Sequence, residues 1–135
     1  MLLAATLAFN ATACGLLPAG NQMQLSVENE ATVDVVLFVN GRMIQPVGRQ
    51  SHVDVPASAL PPLPWIAAVE LPTGRTLVEL TVHAGDVWSK DNGHGGTEMH
   101  GDGARVDLSC GRIDLYSGPP LMGPAPGPGI PGDCS

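Results

Sequence analysis

The sequence predicts an all-β fold, a small antiparallel β-sandwich, for most of its 135 residues. Apolar and polar residues alternate over several short runs, which is the period of two expected of half-buried strands. Turn residues separate most of these runs, and no window of about twelve residues carries the apolar stripe of a helix. The 17 glycines and 13 prolines also disfavour helices, because both residues are poor in helix interiors. A small β-barrel of six strands is the alternative.

The second predicted strand shows how each element is recognised. The odd-numbered residues of 33–39 are all valine or leucine, whereas Val36 and Phe38 leave the opposite face only partly polar. Asn40-Gly41 follows at once and predicts a type I′ hairpin turn, which requires positive φ at both positions. Two more hairpins are expected, around residues 72–75 and around Cys110-Gly111. The predicted strands cover residues 23–28, 33–39, 42–47, 52–55, 65–71, 76–83, 104–109 and 113–116.

The first two strands resemble those of a known architecture. Residues 25–29 (LSVEN), followed by a strand that ends at Asn40-Gly41, are similar to the early strands of immunoglobulin-like domains. The resemblance implies an immunoglobulin-like arrangement of the sandwich. A sandwich this small is only marginally stabilised by its core, so a covalent cross-link would add appreciably to its stability.

The N-terminal residues have the pattern of an export signal. Residues 1–9 are apolar and uncharged, and Ala11-Thr12-Ala13 provides small residues at positions −3 and −1 before Cys14. This also resembles the lipobox of bacterial lipoproteins, although Leu is usual at −3 and no Lys or Arg precedes the apolar run. The resemblance implies that residues 1–13 are a signal peptide, that Cys14 carries diacylglycerol, and that the lipid anchors the protein at a membrane surface. The alternative is that residues 1–13 form a buried first strand.

The three cysteines fit this interpretation. With Cys14 assigned to lipid by the resemblance, Cys110 and Cys134 remain as a pair. A disulfide between them would close a loop of about 25 residues and stabilise the fold by roughly 3 kcal/mol. The expected organisation is a signal peptide at 1–13, a linker at 14–21, the sandwich at 22–117 and a Pro/Gly-rich tail at 118–135.

The segment between His83 and Asp107 is neither strand nor spacer, and chemistry is most concentrated there. One interpretation is an exposed loop at the end of the sandwich that contacts a partner. Its candidate contact residues are Asp86, Trp88, Asp91 and Asn92. The other interpretation is a divalent metal site for Zn²⁺ or Ca²⁺. Its candidate ligands are His94, Glu98, His100 and Asp102, although no HExxH or CxxC motif accompanies them.

Charge and motifs narrow the function. Thirteen acidic residues against six basic ones give a net charge of −7, which leaves no basic face to neutralise phosphates and argues against nucleic-acid binding. The serines lack the G-x-S-x-G motif of a nucleophile elbow. The sequence therefore predicts an exported protein, either a membrane-anchored lipoprotein or a secreted one. It would be a non-enzymatic binding or structural module that needs no cofactor and meets an envelope or extracellular partner. The alternative is a divalent-metal-binding protein or small metal-dependent hydrolase that uses the loop from His94 to His100.

Overall fold

The computed structural model of the chain describes residues 23–86, 88–91, 93–118, 120 and 134, without the side chains of 88–90 and 97–99. The predicted signal peptide, the lipidation site at Cys14 and the linker lie outside the described residues, as does most of the tail. The ten strands are β1 (Gln24–Asn29), β2 (Val35–Val39), β3 (Arg42–Val47), β4 (Ser51–Pro56), β5 (Trp65–Glu70), β6 (Thr76–Val82), β7 (Trp88–Asp91), β8 (Thr97–His100), β9 (Gly103–Leu108) and β10 (Gly111–Tyr116). A 3₁₀ turn spans Ala57–Ala59.

Eight of these strands form two antiparallel four-stranded sheets, which confirms the predicted β-sandwich. The first sheet has the order β4-β1-β10-β9 and the second the order β3-β2-β5-β6. The strands divide between two sheets instead of closing into one, so the sandwich and not the barrel is the architecture. The immunoglobulin-like arrangement of the strands stays a prediction.

The predicted hairpin turns are present, and backbone geometry explains their sequences. Asn40 and Gly41 join β2 to β3 with φ values of 54° and 79°, as a type I′ turn requires. Gly111 begins β10 with φ 137°, and a Cβ atom at this position would overlap the carbonyl oxygen of Glu30. Only glycine fits there, because the turn into β10 passes directly against the chain that leaves β1.

The core lies between the two sheets. Aliphatic side chains of both sheets meet there, and the ring of Trp65 is buried among them with 1% of its surface exposed. The indole Nε1 of Trp65 donates a hydrogen bond of 2.6 Å to the carbonyl oxygen of Pro61, so its one polar atom is satisfied. The largest aliphatic side chains that are fully buried are Leu25, Leu37, Leu77, Ile113 and Leu115.

A buried amide at the end of β1 joins two loops to the first sheet. The side chain of Asn29 is 1% exposed, and its Nδ2 donates to the carbonyl oxygens of Val33 (2.9 Å) and Gly48 (3.1 Å). Its Oδ1 accepts from the backbone N–H of Ala31 at 3.0 Å. One side chain therefore fixes both the turn that follows β1 and the turn between β3 and β4.

The segment between the predicted strands at 76–83 and 104–109 was expected to be a loop, and this prediction was wrong. Strands β7 and β8 pair there as a separate two-stranded hairpin, with Trp88 opposite His100 and Asp91 opposite Thr97. These four-residue strands (WSKD and TEMH) lack an alternating apolar face, so periodicity does not reveal them. The turn between them includes Gly93 and Gly95 at φ 79° and 81°, which supplies the reversal of the chain.

Candidate functional site

The predicted metal ligands are distributed along the β7–β8 hairpin. His94 lies in the turn, whereas His100 ends β8 at the opposite end of the hairpin, opposite Trp88. Three steps along a strand, at about 3.4 Å each, place roughly 10 Å of backbone between the two ends. Among the described residues, no group of three or more His, Cys, Asp or Glu side chains is placed to hold a metal ion. The side chain of Glu98 lies outside that description, so the Zn²⁺ or Ca²⁺ site stays a prediction.

The predicted contact residues fall on the same hairpin and at its entrance. Asp91 ends β7, and its Oδ1 accepts a hydrogen bond of 3.0 Å from the N–H of Gly93 in the turn. Asn92 and the side chain of Trp88 lie outside the described parts of the chain. Asp86 lies in the turn before β7. Of these residues, Asp86 has the most clearly defined surroundings.

Two carboxyl groups meet where the hairpin leaves the sandwich. Asp86 Oδ2 accepts a hydrogen bond of 2.7 Å from the backbone N–H of His83 and lies 3.3 Å from His83 Nδ1. The hydrogen bond from the His83 backbone is the main reason why the pKa of Asp86 is lowered. Burial, followed by the negative charge of Asp86, raises the pKa of Asp102. Of the two carboxyl groups, Asp102 is therefore the one that binds a proton at the higher pH.

This carboxyl pair holds the two ends of the hairpin together. Asp86 precedes β7 and Asp102 follows β8, so their contact closes the base of the hairpin. The backbone N–H of Asp102 donates to Ser117 Oγ at 3.0 Å, and its carbonyl oxygen accepts from the N–H of Ser117 at 2.7 Å. The arrangement links the hairpin to the end of β10. The sequence placed Asp86 and Asp102 in different candidate sites and gave His83 no role, because their proximity depends on the hairpin that periodicity did not reveal.

A second polar cluster lies on the outer face of the first sheet, and the sequence did not predict it. Ser26 Oγ donates a hydrogen bond of 2.5 Å to Asp54 Oδ1, and His52 Nε2 lies 2.9 Å from the same oxygen. His52 Nδ1 is 3.8 Å from Glu28 Oε2. The hydrogen bond from Ser26 is the main reason why the pKa of Asp54 is lowered. Alternation placed Ser26 and Glu28 on one face of β1, but nothing in the sequence indicated that β4 pairs with β1.

The order of these groups is not that of a catalytic triad. In a Ser-His-Asp triad the imidazole lies between the hydroxyl and the carboxylate, so that it can take the proton of the serine. Here the carboxylate of Asp54 lies between Ser26 and His52. The hydroxyl of Ser26 is also buried, with 1% of the residue exposed. This cluster stabilises the pairing of β1 with β4 and does not activate a nucleophile.

Buried charges continue across the same face. Arg105 of β9 lies opposite Asp114 of β10, and the two residues are 0% and 5% exposed. Burial raises the pKa of Asp114, although the nearby charges of Arg112 and Arg105 oppose that shift. Arg112 Nε pairs with Asp107 Oδ1 at 3.1 Å near the end of these strands. The outer face of the first sheet therefore carries charged side chains, and those at its centre, Arg105 and Asp114, are buried.

The outer face of the second sheet has the opposite character. Val36, Phe38, Met43, Ile66 and Ala68 form an apolar patch across β2, β3 and β5, because Phe38 lies directly between Met43 and Ala68 in the ladder. Met43 and Ile66 are 58% and 55% exposed. An apolar patch of this kind is a common feature of interaction surfaces.

The disulfide borders an open groove at one end of the sandwich. The groove has a volume of about 300 Å³. The ion pair of Arg49 with Asp34, at 3.3 Å, lies on its wall. The other lining residues are Thr32, Val33, Leu71, Pro72, Thr73 and Cys134. The wall of the groove therefore consists of apolar surface and of an ion pair in which Arg49 and Asp34 already neutralise each other.

Comparisons with known proteins give no independent assignment. Neither the protein-family models, nor the curated proteins, nor the solved structures yield a match to this chain. None of the described residues belongs to a helix that is long and apolar enough to span a bilayer.

Proposed function

We propose that the protein is exported and acts as a non-enzymatic binding or structural module at the cell envelope or outside the cell, anchored by a lipid on Cys14. The observation that carries this proposal is the disulfide between Cys110 and Cys134. Their Cα atoms are 6.2 Å apart, within the usual range for a disulfide, and this pair is the one predicted. Structural disulfides persist mainly in oxidising compartments, so the bond favours a protein that leaves the cytosol.

The surroundings of the disulfide support a structural role for it. The backbone N–H of Cys110 donates to Cys134 Sγ at 3.1 Å, and both cysteines pack against the hydrophobic core. Cys134 is thereby held against the turn between β9 and β10. A bond with this packing stabilises the fold and is a poor candidate for a reactive thiol pair.

The non-enzymatic part of the proposal is supported by the polar clusters. The hydroxyl of Ser26 donates to the carboxylate of Asp54, and Ser26 is only 1% exposed, so a substrate has no access to this hydroxyl. The carboxyl groups of Asp86 and Asp102 hydrogen bond to each other at the base of the hairpin. In both clusters the polar atoms are occupied by neighbours of the same chain. The exposed apolar patch favours a binding role over a purely structural one.

Export and lipidation are tested by expressing the 135-residue chain in a bacterium that processes lipoproteins. The intact mass of the protein purified from the membrane fraction should correspond to residues 14–135 with diacylglycerol on Cys14 and a disulfide between the other two cysteines. A Cys14→Ser variant should lose the lipid and leave the membrane fraction. A processed protein with a free Cys14 thiol would overturn the anchor. A cytosolic protein that keeps residues 1–13 and has reduced cysteines would overturn the whole proposal.

A further inference from the structure

We infer that the apolar patch on the outer face of the second sheet docks a partner protein that presents an apolar side chain beside a lysine or arginine. This inference deepens the proposed function, since it assigns the binding surface and the chemistry of the partner. It rests on three features of that face: the exposure of its apolar side chains, the sign of its charges, and the state of the adjacent edge strand.

Exposure distinguishes the patch from the rest of the described surface. Met43 and Ile66 are the two large hydrophobic side chains that the described residues leave substantially exposed, and both belong to the patch. Phe38, the ladder partner of Met43, is only half-buried. By contrast, the corresponding face of the first sheet is covered at its centre, where Arg105 has no exposed surface. An uncovered apolar face on one side only is the arrangement expected when that side meets a partner.

The charged strand residues that share the outward face with the patch are acidic, whereas Arg42 of β3 lies opposite the core-facing Val39. The row that contains Met43, Phe38 and Ala68 continues on β6 with Glu79, which is exposed. The neighbouring row runs from Val36 to Glu70. The register of the strands assigns each residue of this sheet to one of its two faces. Among the strand residues on the outward face, these two glutamates are the charged ones. A partner that brings a cation to this border would gain electrostatic attraction, and the chain's net charge of −7 adds to it.

The same charges disfavour two other occupants. A second copy would bring its own Glu70 and Glu79 to a face whose outward-facing charged strand residues are Glu70 and Glu79, and like charges across an interface are costly. A membrane with anionic lipids would repel the same border. A basic partner is the occupant that complements both the apolar and the acidic part of this surface.

The partner is expected to use the face and not the edge of the sheet. β3, which carries Met43 of the patch, is the edge strand on that side of the sheet, and it contains Pro46, which has no N–H to donate to an added strand. A register shift against Leu37 and Phe38 also interrupts the β2–β3 ladder. Both features block pairing at that edge. Strands lie about 4.8 Å apart, so a side chain that packs on Phe38 has Glu79 roughly 10 Å away, which sets the spacing of the partner's cation.

The test uses three fluorescein-labelled synthetic peptides of about twelve residues, added to the purified, oxidised full chain. One alternates Leu and Lys, the second alternates Leu and Glu, and the third alternates Ser and Lys. Fluorescence anisotropy should detect binding of the Leu/Lys peptide, with at least tenfold weaker binding of the other two. Met43→Ser and Glu79→Lys should each weaken the binding of the Leu/Lys peptide at least fivefold. Met43→Leu should preserve it.

Glu30→Lys is the matched control, because it makes the same change of charge at an exposed residue away from this face. It should leave the Leu/Lys peptide bound within a factor of two. Equal losses in Glu30→Lys and Glu79→Lys would show non-specific attraction to an acidic protein and overturn the inference. Binding that Met43→Ser does not change would overturn it as well.

Two further measurements address the competing occupants. Sedimentation velocity should show one monomeric species over a hundredfold range of concentration. A dimer that Met43→Ser abolishes would overturn the inference in favour of a second copy. Retention of a Cys14→Ser chain on vesicles with anionic lipid would overturn it in favour of a membrane. The export experiment is independent, because a chain that is exported but binds no peptide disproves the docking surface alone.

Discussion

The side-chain amide of Asn29 and the carbonyl oxygen of Gly48 are joined by a partly buried hydrogen bond of 3.1 Å, although 18 residues of chain lie between them. The same amide reaches Val33, and its oxygen accepts from the N–H of Ala31. A side chain that satisfies three backbone groups is difficult to replace, because buried polar groups that lose their partners carry a large desolvation penalty.

Replacing Asn29 with Ala should lower the free energy of unfolding by about 3 kcal/mol, since two carbonyl oxygens and one N–H lose their partner. Asn29→Asp should also destabilise the protein at neutral pH, because a carboxylate accepts from Ala31 but cannot donate to Val33 or Gly48. Urea unfolding of the oxidised protein measures both. Gln24→Ala is the control at an exposed residue, where a change below about 0.5 kcal/mol is expected. A stable Asn29→Ala protein would contradict the assigned role.

The disulfide should contribute about 3 kcal/mol, as expected for a loop of this length. A Cys110→Ser, Cys134→Ser double variant should therefore melt well below the oxidised wild type. Reductant should lower the melting temperature of the wild type to that of the variant and leave the variant itself unchanged. A wild type that melts at the same temperature with and without reductant would show that the bond is not formed.

Alanine substitutions at Gly74 and Gly111, which both lie at hairpin turns, distinguish the cost of backbone strain from the cost of steric overlap. Gly111→Ala should cost more than Gly74→Ala, since both have positive φ but only Gly111 faces the carbonyl oxygen of Glu30. The strain alone should cost about 1 kcal/mol in Gly74→Ala, and the overlap should raise the cost to about 3 kcal/mol or more in Gly111→Ala. Thermal unfolding of the two variants provides the comparison, and equal losses would refute the close approach of the two turns.

Asp102→Asn should stabilise the protein at neutral pH. The pKa of Asp102 is raised above its ordinary value of 3.8, so the native state binds the proton more tightly than the unfolded chain does. Ionisation of Asp102 therefore opposes folding, and this penalty is absent below pH 3.8 and grows as the pH rises through the raised pKa. The amide mimics the protonated carboxyl and keeps a donor for Asp86. The melting temperature at pH 7 should rise by about 2–4 °C, and the gain should vanish near pH 3.

Asp34→Asn is the control with the opposite sign. The pKa of Asp34 is lowered, mainly by the hydrogen bond from the backbone N–H of Arg49 and then by the guanidinium of the same residue. Its carboxylate stabilises the fold above the ordinary pKa, and this contribution is lost as the pH falls through the lowered pKa. Asp34→Asn should thus melt lower than the wild type at pH 7 and equal it at low pH. If Asp102→Asn also melted lower than the wild type at pH 7, the raised pKa of Asp102 would be contradicted.

The predicted metal site has a direct test in elemental analysis and chelation. Because His94 and His100 lie at opposite ends of the hairpin, we expect no stoichiometric metal in the purified protein and the same melting curve with and without chelator. A stoichiometric Zn²⁺ or Ca²⁺ whose removal lowers the melting temperature would favour the metal-binding alternative. His94→Ala and His100→Ala would then show whether these side chains hold it.

Local signals in the sequence were sufficient for most of the fold. Alternation located the strands of both sheets, and Asn40-Gly41 identified a turn whose φ angles the structure confirms. The β7–β8 hairpin was missed because its short strands are polar, so nothing in the pattern separates them from a loop. Alternation of apolar and polar residues predicts strands that bury one face, but it does not reveal strands that bury neither face.

The candidate sites were less predictable, because their residues are brought together by pairing between distant strands. Ser26 and Asp54 touch only because β1 lies beside β4. The apolar patch was partly visible, since Val36 and Phe38 interrupted the alternation of their strand. Its remaining members became neighbours only through the pairing of β2 with β3 and β5. A sequence read one strand at a time does not contain that information.

The position of β1 has a consequence for how the chain assembles. It is hydrogen-bonded to β4 on one side and to β10 on the other, so β1 pairs with the strand that comes last in the two sheets. When the chain leaves a ribosome or a translocation pore from its N-terminus, all four strands of the β3-β2-β5-β6 sheet emerge before β9 and β10, so this sheet can form first. The first sheet has to wait until Tyr116 emerges. Truncation before β10 would leave β1 with an unpaired central edge, exposed to pairing with other chains.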